Sequence, residues 1–209
     1  MNKLKFSYHK IQFGFILLSA FSLMYISGCS SSTSDDNTES DIKEAQTIYE
    51  SEIAGNTILN FAQTEQQNPM YSPEVDSTLL YWLNNDLLLI QGSTKCNIFA
   101  LNVLSRAGFK TPEGNALCRD LFDTVNFNDI LPVISVNDIS TAVKGDLVIW
   151  SYHVIIFEAL KKLNDDLYAV GWWAGTRQQD NGDNIVNNVC HGKYRLQGEY
   201  IVRRPVKKK

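Results

Sequence analysis

The sequence predicts an α+β fold in which helices come first and a sheet follows. Apolar side chains recur at helical spacing between residues 41 and 107. After residue 146 the pattern changes to short apolar, β-branched segments separated by turn-forming residues. Helices first and strands after are typical of an antiparallel sheet packed on the earlier helices.

The predicted helices cover residues 41–63, 76–89 and 96–107. Gly55 weakens the middle of the first helix, because glycine has low helix propensity. Ser93 or Thr94 can cap the third helix, which ends before Gly108. Residues 109–144 show no strong period and are predicted to be irregular.

The predicted strands cover residues 147–150, 153–159, 167–173 and 200–203. The segment 178–188 is rich in Asp, Asn and Gly but lacks the ordered ligand spacing of a calcium loop. We therefore predict a polar hairpin loop there.

The first residues have the layout of a secretory signal peptide, with lysines followed by an apolar stretch over residues 11–25. That stretch is shorter than the roughly 20 residues that a membrane-spanning helix needs. Ile26-Ser27-Gly28-Cys29 resembles the bacterial lipobox, which implies cleavage after Gly28 and diacylation of Cys29. The predicted organisation is a signal peptide over 1–28, a flexible polar tether over 29–40 and one domain over 41–209.

Charge and cysteine content limit the partners, disulfide bonds and cofactors that the chain is expected to have. The C-terminal residues 203–209 are basic, which is usual for a solvated chain end, and an envelope location argues against a nucleic-acid partner. With Cys29 assigned to lipid, three of the four cysteines remain, an odd number. Cys118 and Cys190 both fall in loop-like segments and form the natural disulfide pair, which leaves Cys96 as the unpaired thiol. We expect no metal or organic cofactor, since the chain has no CxxC pair.

Cys96 is the predicted nucleophile. It opens a helix, where unpaired backbone N–H groups favour the thiolate and can bind an oxyanion, and Lys95 adds a nearby positive charge. The alternative interpretation is a small core cysteine.

His153 opens a predicted strand after a short connection, which can place its imidazole at a sheet edge facing Cys96. A lone histidine beside apolar residues is, however, often structural. A cysteine beside a histidine is the usual activated-nucleophile pair.

Two motifs resemble those of a known family. Gly145-Asp146-Leu147-Val148, followed by His153-Val154-Ile155-Ile156, resembles the signature of the NlpC-type cysteine peptidases and their CHAP-type amidase relatives. Cys96-Asn97-Ile98-Phe99 resembles their nucleophile helix, including that of some interbacterial amidase toxins. The resemblance implies a papain-like fold, Cys96 and His153 as catalytic residues, and cleavage of amide bonds in peptidoglycan peptides.

The chain departs from this family in two places. Lys95 and Asn97 flank the cysteine where the commonest members have Asp-Cys-Ser-Gly. The family places a polar residue on the strand after the histidine strand, whereas this chain has Gly171, Trp172 and Trp173 there. Asp166, a backbone carbonyl or a water are the candidates for orienting His153. The tryptophans could line a substrate cleft, or one could be core and one could cover the sheet edge.

The sequence thus predicts a monomeric cysteine hydrolase, lipid-anchored in the bacterial cell envelope, with peptidoglycan or muropeptide as its substrate. The alternative is a lipoprotein of the same fold that binds the wall or a partner without catalysis. The departures around Cys96 and the missing third residue favour that alternative.

Overall fold

The computed structural model describes residues 36–178 and 184–209. The predicted signal peptide, Cys29 and the tether up to residue 35 lie outside the described residues. The helices are α1 (Asp36–Thr64), α2 (Cys96–Arg106) and α3 (Cys118–Phe122). The strands are β1 (Ser77–Leu80), β2 (Asp86–Leu89), β3 (Val133–Val136), β4 (Leu147–Trp150), β5 (His153–Leu163), β6 (Asp166–Gln178), β7 (Asn184–Arg195) and β8 (Ile201–Arg203).

Six strands form one sheet in the order β3-β8-β4-β5-β6-β7, and every neighbouring pair is antiparallel. β1 and β2 form a separate hairpin. The helices α1 and α2 contact β5 and β6. The predicted α+β class, with N-terminal helices on an antiparallel sheet, is confirmed.

Alternate residues of the central strands supply two apolar clusters, one on each face of the sheet. Leu147, Ile149, Val154 and Ile156 belong to the cluster that includes the buried residues of α2. Val148, Trp150, Ile155 and Phe157 belong to the second cluster, with Trp173 and Tyr200. β4 is buried along its whole length because both of its faces are covered.

Residues 36–40, predicted as part of the tether, are helical and belong to α1. Its first half is solvent-exposed, with Ile48 at 61% and Tyr49 at 65% exposure, whereas Ile58 and Ala62 are buried in its second half. The predicted helix over 41–63 is confirmed within this longer helix.

Gly55 marks the place where α1 crosses the turn before β4. A Cβ at Gly55 would lie 2.2 Å from the carbonyl oxygen of Lys144. A Cβ at Gly145, which has a φ of +86°, would lie 3.0 Å from the Cα of Gly55. Gly55 has a low helix propensity, but because it has no side chain, α1 can pack directly against the backbone of this turn.

The predicted helix over 76–89 is wrong, because this segment forms the β1–β2 hairpin. Its leucines have helical spacing, but Asn84 and Asn85 adopt left-handed φ values of 56° and 63° that a helix excludes. The buried side chain of Asn102 fixes the hairpin by accepting from the Tyr81 N–H and donating to the Leu79 carbonyl. A long-range contact thus overrides the local helical pattern.

The predicted third helix is confirmed as α2, with a different N-cap. Lys95, rather than Ser93 or Thr94, occupies the N-cap position, and its side chain makes no capping bond. At the other end Phe109 N–H bonds to Leu104 O and Gly108 N–H to Ser105 O, the bond pair of a Schellman motif.

The four predicted strands are present as β4, β5, β6 and β8. The predicted loop over 178–188 is wrong from residue 184 onward, since Asn184 begins β7, and residues 179–183 lie outside the described residues. Residues 109–144 contain α3 and β3, which their weak periodicity did not indicate. In the described ranges, no helix combines the length and the apolar character needed to cross a bilayer.

Candidate active site

Cys96 is the first residue of α2, and its side chain is 1% exposed. The first intrahelical hydrogen bond runs from Phe99 N–H to Lys95 O. The N–H groups of Cys96, Asn97 and Ile98 therefore have no partner within the helix and direct partial positive charge toward its N-terminal end. This placement agrees with the prediction from the sequence.

His153 is the first residue of β5 and pairs with Trp150 across a two-residue turn. Its ring stacks on Tyr194, with centroids 4.8 Å apart and planes inclined at 26°. Trp173 approaches edge-on, and Trp150 lies at a tilt, each with its centroid 6.4 Å from that of His153. Aromatic rings on three sides therefore hold the imidazole.

The structure brings Cys96 and His153 together. The pKa of Cys96 lies well below that of an ordinary thiol, chiefly because the thiol of Cys118 donates a hydrogen bond to its sulfur. Burial opposes this shift, while a hydrogen bond and positive charge from His153 and the Val154 backbone N–H reinforce it. The arrangement favours a thiolate at Cys96.

Cys118 is the residue of this site that the sequence did not indicate. Its Sγ lies 3.4 Å from Cys96 Sγ, and hydrogen bonding to Cys96, with burial, raises the pKa of Cys118. The predicted Cys118–Cys190 disulfide is therefore wrong: Cys190 lies on β7, opposite Trp173 and in the second apolar cluster. The odd number of cysteines indicated that one thiol is unpaired. The loop-like sequence around Cys118 did not indicate that Cys118 contacts Cys96.

Asn97 explains how Cys118 reaches the helix. Its side-chain amide donates to the carbonyl of Ala116 at 2.8 Å, and its backbone N–H points at the sulfur of Cys118. The side chain of Asn97 is buried, so this bond is shielded from water. Asn97, which differs from the commonest motif of the NlpC-type peptidases, therefore holds Cys118 in place.

Lys95 does not serve as the nearby positive charge that the sequence suggested. Its side chain is fully buried, and its ammonium donates to the carbonyls of Met70, Val75 and Ser77 at 2.9, 2.7 and 3.2 Å. Burial lowers the pKa of Lys95. It is not among the groups that lower the Cys96 pKa, so its role is to tie the 70–77 segment to the start of α2.

Asp166 is not the group that orients His153. It lies at the far end of β5 and β6, paired with Leu163, about 33 Å from His153 along the strand at ~3.3 Å per residue. Its carboxylate accepts from Arg195 at 2.5 Å. The Nε2 of His153 is buried and makes no hydrogen bond to any residue in the described ranges.

Of the two tryptophans suggested as cleft residues, only Trp172 lines a cavity in the described part of the chain. Trp172 and Trp173 are 7% and 1% exposed and belong to opposite faces of the sheet. Trp173 contacts His153, whereas Trp172 lies against His191 with centroids 4.7 Å apart. Both are therefore largely buried: Trp173 supports the imidazole, and Trp172 lines the cavity beside His191.

Asp146, part of the Gly-Asp motif, has a structural role. Its buried carboxylate accepts from Arg204 Nε at 3.0 Å and from Arg204 Nη2 at 2.9 Å, and also from the Val143 N–H at 2.8 Å. These bonds close the turn that leads into β4 and fix the strand register that places His153.

Two cavities in the described part of the chain lie apart from the thiols. One, of about 590 Å³, is formed by α1 and the β5 residues Phe157 to Leu160. The other, of about 690 Å³, lies between amide side chains of α1 and the pair Glu158–His191, whose carboxylate and imidazole are 2.7 Å apart. Neither cavity is lined by Cys96 or His153.

Comparison with known proteins finds no match: no family model, curated protein or solved structure is similar to this chain at a significant level. Across residues 36–178 and 184–209, no group of three or more His, Cys, Asp or Glu side chains could hold a metal ion. The chemistry of the site therefore has to be argued from its own geometry.

Proposed function

We propose that the protein is a papain-like cysteine hydrolase of the NlpC type that cleaves amide bonds in peptidoglycan peptides. The observation that supports this proposal is the position of Cys96 at the N-terminus of α2, where Cys118, His153 and the Val154 N–H lower the pKa of its thiol. A buried cysteine with a purely structural role would have a raised pKa, because burial disfavours the charged form.

Cys96 and His153 would hydrolyse the amide bond in two stages, through a thioester. The Cys96 thiolate attacks the amide carbonyl carbon, and the oxyanion is stabilised by backbone N–H groups at the N-terminus of α2, where Cys96 lies. Protonated His153 donates its proton to the leaving nitrogen as the C–N bond breaks, which leaves a thioester on Cys96. A water, deprotonated by His153, then attacks the thioester, and the C–S bond breaks to restore the thiolate.

The proposed location is the bacterial cell envelope, with the protein held by lipid on Cys29. The motif Ile26-Ser27-Gly28-Cys29 supports this location, because its cysteine is the residue that would carry the lipid. In this account Cys29→Ala moves the protein from the membrane fraction to the soluble fraction and abolishes incorporation of labelled fatty acid. If the variant stays in the membrane fraction, the anchor is elsewhere.

The test of the hydrolase is cleavage of purified muropeptides. We expect Cys96→Ala and His153→Gln to abolish cleavage, and Cys190→Ala to retain it, because Cys190 is not among the groups that lower the Cys96 pKa. Circular dichroism confirms that each variant is folded. If the wild-type protein cleaves no muropeptide, or Cys96→Ala cleaves as fast as wild type, the hydrolase is excluded.

The second candidate is a wall- or partner-binding protein of the same fold. Cys96 is 1% exposed, and the larger cavity lies on another part of the molecule, between α1 and the Glu158–His191 pair. A binding protein would bind muropeptide or intact wall in a pull-down, release no fragments, and retain binding in Cys96→Ala. Cleavage lost in Cys96→Ala would exclude this alternative.

A further inference from the structure

Cys96 and Cys118 are two thiols in direct contact at the start of one helix. Their sulfur atoms are 3.4 Å apart, and the side chains are 1% and 8% exposed. They are separated by 22 positions in the chain, so the contact results from the fold and is held by the Asn97–Ala116 hydrogen bond. Proximity of this kind permits thiol chemistry between the two residues.

We propose that Cys96 and Cys118 form a reversible disulfide when Cys96 is oxidised by a hydroperoxide. Cys118 is then a resolving cysteine, and the pair is a modification site at the nucleophile. Disulfide formation does not require the hydrolase reaction, and only its consequence, reversible loss of cleavage, rests on the proposed function.

The chemistry needs only the two thiols and the peroxide. The Cys96 thiolate attacks one peroxide oxygen, the O–O bond breaks, and the products are a sulfenic acid on Cys96 and hydroxide. Cys118 sulfur then attacks the Cys96 sulfur, the S–O bond breaks, and water leaves with the Cys118 proton. Two electrons pass from the thiols to the peroxide, and an external dithiol reverses the change.

Three features of the site favour this sequence of steps. Cys96 carries the thiolate and Cys118 keeps its proton, since their pKa values are shifted in opposite directions. Hydrogen peroxide is nearly as small as water, so it can reach a thiol that is almost fully covered. Cys118 opens a helix of only five residues, which can move by the ~1.4 Å needed to shorten the sulfur contact to a ~2.05 Å bond.

Peptide mapping of the full-length lipoprotein after hydrogen peroxide treatment tests the proposal. Trypsin places Cys96 in the peptide 96–106, Cys118 in 111–119 and Cys190 in 178–193. We expect peptides 96–106 and 111–119 to be joined, with the mass of the pair reduced by two hydrogens, and to separate after dithiothreitol. Cys190→Ala should give the same product.

The resolving role of Cys118 is tested by Cys118→Ala. In this variant the sulfenic acid on Cys96 should persist long enough to be captured by dimedone, or should proceed to the sulfinic acid, whereas wild type should show neither. Overoxidised Cys96 in wild type without a crosslink, or a crosslink between Cys118 and Cys190, would overturn the proposal.

Muropeptide cleavage separates this inference from the proposed function. Loss of cleavage with peroxide and recovery with dithiothreitol supports both. A crosslink in a protein that never cleaves muropeptides leaves the disulfide standing and rejects the hydrolase. Cleavage that is lost with peroxide but not recovered with dithiothreitol, with no crosslink, rejects the disulfide and leaves the hydrolase standing.

Discussion

The imidazole of His153 stacks on the phenol ring of Tyr194, with ring centroids 4.8 Å apart and planes inclined at 26°. Trp173 meets the same imidazole edge-on. Papain-like enzymes usually orient this ring with a polar side chain, whereas His153 Nε2 has no hydrogen-bond partner in the described ranges. We infer that aromatic packing sets the orientation of His153, so Tyr194 is a positioning residue.

Replacing Tyr194 tests this role. We expect Tyr194→Leu to lower kcat for muropeptide cleavage by about 10- to 100-fold with KM little changed, because a misplaced base slows proton transfer without loosening substrate contacts. Tyr194→Phe should keep nearly all activity, since it retains the ring. A Tyr194→Leu enzyme with wild-type kcat would show that other groups orient His153.

The reactivity of Cys96 should persist at low pH. Its folded-state pKa is lowered, so the thiolate is present below the ~8.5 of a free cysteine and is lost only when pH falls through the folded-state value. The rate of Cys96 alkylation by a small reagent, followed on the peptide 96–106, should therefore reach half its maximum well below pH 8.5.

Cys118→Ala is the matched variant for this pH profile. It removes the largest influence that lowers the Cys96 pKa, so the half-maximum should move to higher pH. Cys190→Ala should leave the profile where it is in wild type. A wild-type profile centred at or above pH 8.5 would contradict the thiolate assignment.

Gly55 is predicted to be intolerant of alanine, although alanine is favoured in a helix by about 1 kcal/mol. A Cβ at this position would meet the Lys144 carbonyl oxygen at 2.2 Å, so α1 or the turn before β4 must shift. We expect Gly55→Ala to reduce the free energy of unfolding by about 1–3 kcal/mol in urea denaturation. Gly114→Ala is the control, because a Cβ there has no atom within 4 Å; equal stability of the two variants would argue against close packing at Gly55.

Lys95 is predicted to stabilise the start of α2. Lys95→Met keeps the length of the side chain but leaves the carbonyls of Met70, Val75 and Ser77 without their shared donor. The expected loss is about 2–4 kcal/mol in the free energy of unfolding, because unpaired buried acceptors are costly. Lys161→Met, at an exposed position, should change stability little. If both variants unfold at the same urea concentration, the Lys95 bonds are not structural.

The parts of the fold that the sequence predicted correctly are those with strong local signals. The run Leu147–Trp150 is apolar throughout and is buried on both faces, and Gly108, in a positive φ conformation, follows the end of α2. The hairpin of β1 and β2 could not be predicted, because its leucines have helical spacing and its conformation depends on a hydrogen bond from Asn102, which lies in another element.

The candidate site was predicted only in part for a similar reason. Cys96 and His153 each open a regular element, so their approximate positions follow from where those elements begin. The contact of Cys118 with Cys96 depends on Asn97 and the Ala116 carbonyl, and the surroundings of His153 depend on Tyr194 of β7. These contacts join residues far apart in the chain, and local periodicity carries no information about them.

Trapping of a thioester on Cys96 shows whether this residue attacks an amide carbonyl. The wild-type protein is mixed with muropeptide, quenched in acid within a few turnovers, and digested under acidic conditions for mass spectrometry. We expect an acyl group on the sulfur of Cys96, in amounts that decline as substrate is consumed; hydroxylamine should remove it, and Cys96→Ala should carry none. Cleavage of the muropeptide with Cys96 unmodified at every time point, and undiminished in Cys96→Ala, would contradict it.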